Sequence, residues 1–566
     1  MSCLVAEFQA SAIQNHTDLS DTRSSTFFVS RELFIRGLGV IYLIAFASLW
    51  VQVEGLLGEN GISPIARLVS ALEGAREPGE AHPFWKLPTL LLFYPEDSAL
   101  HFVCALGCLA ATLLTLGLLP APLLALLWIL YLSLTNAGDV FLSFQWDILL
   151  LETGALAIFF APLRARPRWF DSTPVSRSAR WLLWWLLFRL MFASGVVKLS
   201  SMDESWWNLT ALTFHYETQP LPTWLGWYLH QLPVWFQKAS TLVVFFVELA
   251  LPFCIFLPRL ARHFAGLAFV ALMLIIAASG NYGYFNYLTI VLCLTLFDDR
   301  FWPSRWRKKA SDTAVPEEAK PEGVEKNSSV RRALLSWPGV AVIPLALLVL
   351  WLSPWLMLFH TFRLQAPAGN TLLADYFTAG RHTMRLLSSY HVVASYGLFA
   401  NMTETRPEIV IEASTDGKEW LPLKFRWKPG ELDHAPAVVQ PHMPRVDWQM
   451  WFAALRMEAY MDRAPAQRQR FVAAIPWLQR FVLRIFESGP EVLSLLPPDP
   501  RQVTAPRLLR LTLYQYRFTR PGQDRPTSPP KNWWTRDAGI RISTLRSPFP
   551  DPRKNKPVPK PKIKPK

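Results

Sequence analysis

The sequence predicts a multi-span α-helical membrane bundle followed by a C-terminal, mainly β soluble domain, sandwich-like with inserted helices. Three observations predict it. Long apolar runs fill the chain up to about residue 358, and the remainder alternates like a soluble domain. Hydrophobic residues make up 51% of the chain, too many for a purely soluble protein of this length. Many of the 25 Trp sit at the ends of the apolar runs, where an aromatic ring suits a membrane interface.

The elements follow in order. Residues 1–33 are polar and read as a cytoplasmic N-terminal segment. The first apolar run, Phe34 to Val53, is long enough for a retained signal anchor. A span needs roughly 20 apolar residues. By that measure the next candidates are Ala99 to Leu118, Pro122 to Asn136, Leu142 to Pro162, Trp181 to Leu199 and Ala239 to Leu257. Phe264 to Ser279 and Tyr284 to Phe297 are shorter, joined by Gly280-Asn281-Tyr282-Gly283, and read as spans or as a re-entrant pair. Val340 to Leu358 makes about nine in all. The expected plan is a bundle over 34–299, a cytoplasmic linker over 300–337, a last span over 338–359, an outer domain over 360–545 and a disordered Lys/Pro tail over 546–566.

Loop charges orient the spans. Arg164, Arg166, Arg168, Arg177 and Arg180 share one loop, Arg259 and Arg262 another, and Arg300, Arg305, Arg307, Lys308 and Lys309 a third. Nine alternating spans put all three on one side, the cytoplasmic side. The outer domain then lies in the lumen or periplasm. Within it, Glu408 to Ala413 alternates like a strand, Thr415-Asp416-Gly417 signals a turn, and Trp420 to Trp427 reads as the return strand. Leu508 to Phe518 alternates again, and Trp448 to Met461 and Gln467 to Phe486 have helical spacing.

Composition excludes several functions. Of the formal charge of +14, seven positive charges sit in the tail from Arg553 to Lys566, leaving +7, ordinary for basic inner loops. No nucleic-acid signature accompanies it. The five cysteines, Cys3, Cys104, Cys108, Cys254 and Cys293, leave the outer domain without a disulfide, and Cys104 and Cys108 read as packing residues. No metal motif, phosphate loop or nucleophile elbow is present, and no cofactor is expected.

Charges inside spans are the most informative residues, because burying them is costly. Glu152, Arg189 and Glu248 each lie about 12–15 Å from a membrane edge, so an intramembrane Glu–Arg–Glu cluster is geometrically possible. Its bland reading fixes helix packing without chemistry. Lys198 is nine residues after Arg189, about 900° on a helix, and so faces the other way. It reads as a snorkelling Lys, or alternatively as a base of lowered pKa. Asp147 and Glu152 lie about 140° apart and do not make a paired-carboxylate device. The outer loop 200–238 carries Trp206, Trp207, His215, Tyr216, Glu217 and His230, with no metal-ligand spacing, and reads as a folded loop on the membrane surface.

Several blocks resemble the lipase maturation factor family. They are FLSFQWDILLLETGALAIFFAP (141–162), WLLFRLMFASGVVKL (185–199), WWNLTALTFHYETQPLP (206–222) and SGNYGYFNYLTIVLCLTLFDD (279–299). In the outer domain they are SYGLFANMTETRPEIVIEASTDGKEW (395–420), FRWKPGEL (425–432) and PRVDWQMWFAAL (444–455). The motif residues carried over are Trp146, Asp147, Glu152, Arg189, Lys198, His215, Tyr216, Glu217, Tyr396, Gly397, Arg406, Pro407, Trp448, Met450 and Trp451. The resemblance implies a non-catalytic, chaperone-like folding factor for secreted proteins, lipases among them. It implies residence in the endoplasmic reticulum membrane of a eukaryote or the inner membrane of a bacterium, with membrane lipids and secreted clients as partners. Trp448 and Trp451 would suit client binding if exposed, or the domain core if buried. A second reading rests on the short segment SGVVKL (194–199). It looks like the span carrying a reactive lysine in vitamin K-dependent carboxylases, with Lys198 as base and His215 as helper.

Overall fold

Helix α1 (Phe28–Trp50) begins six residues before the apolar run, and a carboxylate explains why. Asp299, from the far end of the bundle, accepts hydrogen bonds from the N–H groups of Phe28 and Val29 at 3.0 and 2.9 Å. These are two of the donors a helix start leaves unpaired. Glu32 is likewise satisfied, by Arg36 at 2.7 Å and Arg164 at 2.8 Å.

The computed structural model describes residues 26–77, 79, 82–166, 173–306, 337–365, 371–461, 471–499, 505–521 and 531–549. The expected linker from residue 307, most of the N-terminal segment and most of the tail lie outside the described residues, as does Arg168.

Seven helical stretches among the described residues are long and apolar enough to cross a membrane. They are α1, α2 (Asp97–Leu116), α3 (Pro120–Ala137), α5 (Arg177–Ser200), α6 (Val234–Phe245, continued to Phe256), α7 (Arg259–Ser279) and α9 (Ile343–Leu356, within the stretch Gly339–Thr361). Two more expected spans form shorter helices, α4 (Gln145–Phe160) and α8 (Phe285–Cys293). The full length of α7 corrects the re-entrant pair: α8 alone of the two is short. Helix α4 runs about 24 Å and is enclosed by the others, with most of its side chains buried. A helix shielded from lipid need not match the bilayer, and it can carry Asp147 and Glu152.

Helix α6 changes pitch where its charge sits. Its α-helical part passes into a π-helical turn, Phe246–Ala250, and then a 3₁₀ stretch, Leu251–Phe256. Pro252 lacks the N–H that would bond the Glu248 carbonyl, which frees the backbone to rewind there.

Beyond the spans, the amphipathic helix α10 (Leu372–Leu387) lies against α9, with the Trp355 indole donating to the Phe377 carbonyl at 3.1 Å. Among the described residues the expected sandwich is instead one five-stranded antiparallel sheet. Its order is β2 (Leu421–Pro422), β1 (Arg406–Ser414), β3 (Leu508–Phe518), β4 (Trp534–Arg536), with β5 (Ile540–Arg546) also pairing with β3. Strand β3 has the bounds the alternation indicates, but the return strand shrinks to two residues. Helix α11 (Arg445–Glu458) covers one face of the sheet, against Ile409, Ile411 and Ala413. The expected helix 467–486 divides, because Pro476 starts a new one, α12 (Pro476–Glu487).

One hydrophobic core runs without a break from the spans into the sheet and its helices. A second joins the outer loop to the sheet through Leu212, Tyr216, Trp227, Phe518 and Trp534. Loop 200–238 therefore packs on the outer unit as well as on the bundle.

Candidate functional site

The charged side chains of the spans mark where bundle and outer unit meet. Asp147, in the first turn of α4, receives both guanidinium nitrogens of Arg445, the first residue of α11, at 2.9 Å each. Tyr131 and Tyr284 donate to the same carboxylate at 2.5 and 2.8 Å. Both partners are almost fully buried. Burial pushes the Arg445 guanidinium down, but the Asp147 carboxylate more than offsets this and its pKa is raised.

Glu152 lies about one and a half turns deeper. One oxygen pairs with Arg189. The other accepts from the Tyr396 hydroxyl at 2.6 Å and from the Ala394 N–H at 3.0 Å. Arg189 then donates to the Ala394 carbonyl at 2.9 Å. An acid and a base from two spans thus hold both polar groups of one peptide residue of the segment 391–399. Gln52 does the same for the chain entering α11, donating to the Met443 carbonyl at 2.8 Å and accepting from the Arg445 N–H at 3.2 Å.

Glu248 is not part of that cluster, which corrects the expected Glu–Arg–Glu arrangement. It pairs with Lys198 at 2.7 Å, and the two are nearly buried. The opposed faces of Arg189 and Lys198 account for this: each cation meets a different acid. Lys198 does not snorkel. Its amine donates to Glu248 and to the Ser194 carbonyl at 3.0 Å, and it lies 5.3 Å from the centre of the Trp206 ring.

The outer-loop motif forms the second joint. Arg406, at the start of β1, donates to the carbonyls of Glu217, Gln219 and Pro220 and pairs with Glu408 at 2.9 Å. Burial lowers its pKa. Glu217 accepts from the Phe518 N–H of β3 at 2.8 Å, and Trp451 donates to the Thr218 carbonyl at 2.9 Å. Tyr216 sits in the second core, and Pro407 pairs with Gln515 across the sheet. His215 meets the Tyr282 hydroxyl at 3.3 Å, and burial together with the Lys198 charge brings its pKa down to about 4. Trp146 lies edge to face with Trp448, centroids 4.8 Å apart. Trp448 and Trp451 are both buried, so they serve the joint and not a client surface.

Sequence reasoning missed three residues of this joint: Arg445, Gln52 and Asn281. Asn281 accepts from the Val439 N–H at 2.7 Å and donates to the carbonyls of Leu221 and Ala437 at 3.1 and 2.8 Å, tying loop to outer unit. No pattern in the sequence pointed to Arg445, which stands 298 residues from Asp147.

Among the described residues no group of three His, Cys, Asp or Glu could hold a metal ion. What the arrangement does is hold one unit to the other through desolvated, ion-paired charges.

Together these features define a multi-pass membrane protein whose outer unit is built into the ends of its spans. Residues 29–304 match the lipase maturation factor transmembrane domain and residues 392–542 the lipase maturation factor C-terminal domain. Lipase maturation factor 2 of Gallus gallus is 36% identical over 89% of this chain and 80% of its own length. Lipase maturation factor 2 of Homo sapiens is 35% identical over 89% and 81%. Lipase maturation factor 1 of Homo sapiens is 32% identical over 91% and 87%. The chain belongs to the lipase maturation factor family. No solved structure matches it. The alternative enzyme reading, with Lys198 as a base, gains no support: the relatives are maturation factors, and the Lys198 amine is tied into an ion pair.

Proposed function

We propose that the protein is a membrane-embedded maturation factor for secreted proteins, with lipases as its clients and its outer unit facing the lumen or periplasm. The basic loops support that orientation, since they lie at the opposite ends of the spans from the outer unit. One observation on the outer unit carries the client-binding part. Beside the outer-loop packing on the sheet face away from α11 lies a groove of about 860 Å³. Val410, Glu412 and Tyr514 form its floor, and the segment 422–436 its wall. The mixture of Phe425, Trp427 and Pro436 with Lys424, Arg426, Glu431 and Asp433 suits a partly folded client segment, which offers apolar and polar groups together.

The test is co-purification of a newly made secreted lipase with the full-length chain. Val410→Glu places a charge on the groove floor, away from the joints. Client recovery should fall about tenfold while the melting temperature of the chain holds. Normal lipase secretion from cells that lack the protein would overturn the reading.

A further inference from the structure

A partly enclosed cavity of about 100 Å³ lies between α5, α6, α7 and α8, separate from the groove on the outer unit. Leu190, Met191, Val244, Met273 and Phe285 give it apolar walls, and Leu398 and Phe399 reach in from the outer unit. Nearly all of its polar side chains are already engaged. Ser194 donates to the Leu190 carbonyl at 2.7 Å, and Thr289 to the Phe285 carbonyl at 3.0 Å. Tyr282 donates to Gln219 at 2.7 Å, and Lys198 and Glu248 satisfy each other. Asn286 is the exception. It is 1% exposed, and neither its amide oxygen nor its amide nitrogen has a partner among the described residues. A buried amide with nothing to bond is unfavourable, and such a group calls for an occupant.

We propose that this cavity binds an uncharged single-chain amphiphile of the monoacylglycerol type, its head bonded to the Asn286 amide. Three features select that chemistry. A free amide needs a partner that both donates and accepts, as a hydroxyl beside an ester carbonyl does. The Lys198–Glu248 pair cancels its own charge, so the cavity offers no counter-ion to an ionised head. The walls are apolar and the space is narrow, which fits one chain and not two. Val244 and Ile276 on the wall adjoin Val243 and Ile275, which are 58% and 59% exposed on the outer faces of α6 and α7. The chain of the amphiphile leaves between those helices toward the bilayer. The π-helical turn that brings Glu248 to Lys198 lines the same cavity, and such turns concentrate at functional sites.

The test uses the full chain in lipid nanodiscs with a photoreactive, alkyne-tagged monoacylglycerol, and a fatty acid carrying the same tag as the charged control. The monoacylglycerol should label residues around Met191 and Phe285, and excess untagged monoacylglycerol should compete. Asn286→Leu keeps the size of the side chain and removes the unpaired amide. It should weaken labelling about tenfold without lowering the melting temperature of the delipidated protein. Met191→Trp should block labelling by filling the cavity from another helix. Labelling that persists in both variants would overturn the proposal. So would labelling confined to outward residues such as Val243 and Leu274, which would mark surrounding lipid, or equal labelling by the fatty acid. A large fall in melting temperature for Asn286→Leu would show that the amide serves the fold, and no labelling at all would show that the cavity holds only water.

Discussion

Asp147 shows what a single buried charge does here. It accepts four hydrogen bonds, two from Arg445 and one each from Tyr131 and Tyr284, so removing one partner strands the rest. Arg445→Met should cost about 3–5 kcal/mol, read as a lower melting temperature in detergent. Adding Asp147→Leu should recover much of that loss, since it removes the stranded carboxylate. A double variant no better than the single one would show that the tyrosines and the Phe141 carbonyl, which also accepts from Arg445, carry the joint. The histidines predict a pH dependence. Burial holds His215, His391 and His442 near a pKa of about 4, below the 6.5 of a free side chain. Between those values the unfolded chain binds more protons. Stability should therefore be full above about pH 6.5 and fall as pH drops toward 4. His442→Gln, which keeps a polar group near Ser48, should flatten that fall in a melting series across this range.

At the scale of elements, close helix approach replaces the hydrophobic effect, because lipid tails are as apolar as the helix faces. A Cβ on Gly107 of α2 would stand 2.4 Å from the ring of Phe46 on α1. Gly107→Val should separate the two helices and destabilise by about 1–3 kcal/mol. Gly74, at the end of the helix Ile65–Gly74, meets nothing within 4 Å, so Gly74→Ala should be neutral or stabilising by up to about 1 kcal/mol. Equal effects in thermal melts would contradict this packing. Elements were legible in proportion to how far their stability is local. Strand β3 was readable to the residue because its alternation runs for eleven positions. Helix α4 read like a lipid-facing span because enclosed and lipid-facing apolar helices have the same composition. Strand β2 looked long because Trp420 to Trp427 follows a turn signal and alternates Leu423, Phe425 and Trp427 with Lys424 and Arg426, yet most of that stretch walls the groove.

For the whole molecule, orientation gives a direct test. Lys418 in the β1–β2 turn and Arg305 beyond the bundle are both exposed. In a cysteine-free background, Lys418→Cys should react with an impermeant maleimide from the lumenal or periplasmic side, and Arg305→Cys only after permeabilisation. The reverse pattern would invert the topology. The same scale explains a pattern in the motif residues. Asp147, Glu152, Arg189, Glu217, Arg406 and Trp451 all touch across the boundary between bundle or loop and outer unit. They read as separate clusters along the chain because the partners stand roughly 190–300 residues apart.

The sequence by itself determined that the chain crosses a membrane, carries a β-containing outer unit and holds unaffordable charges within its spans. Those properties follow from composition, period and the cost of burying a charge, all of which are local. Only the tertiary structure decided which charge meets which, that the outer unit is seated in the bundle, and that Asn286 is left facing a cavity. Pairing depends on which helix faces are turned together and on segments that return from far along the chain. No local pattern encodes those distances.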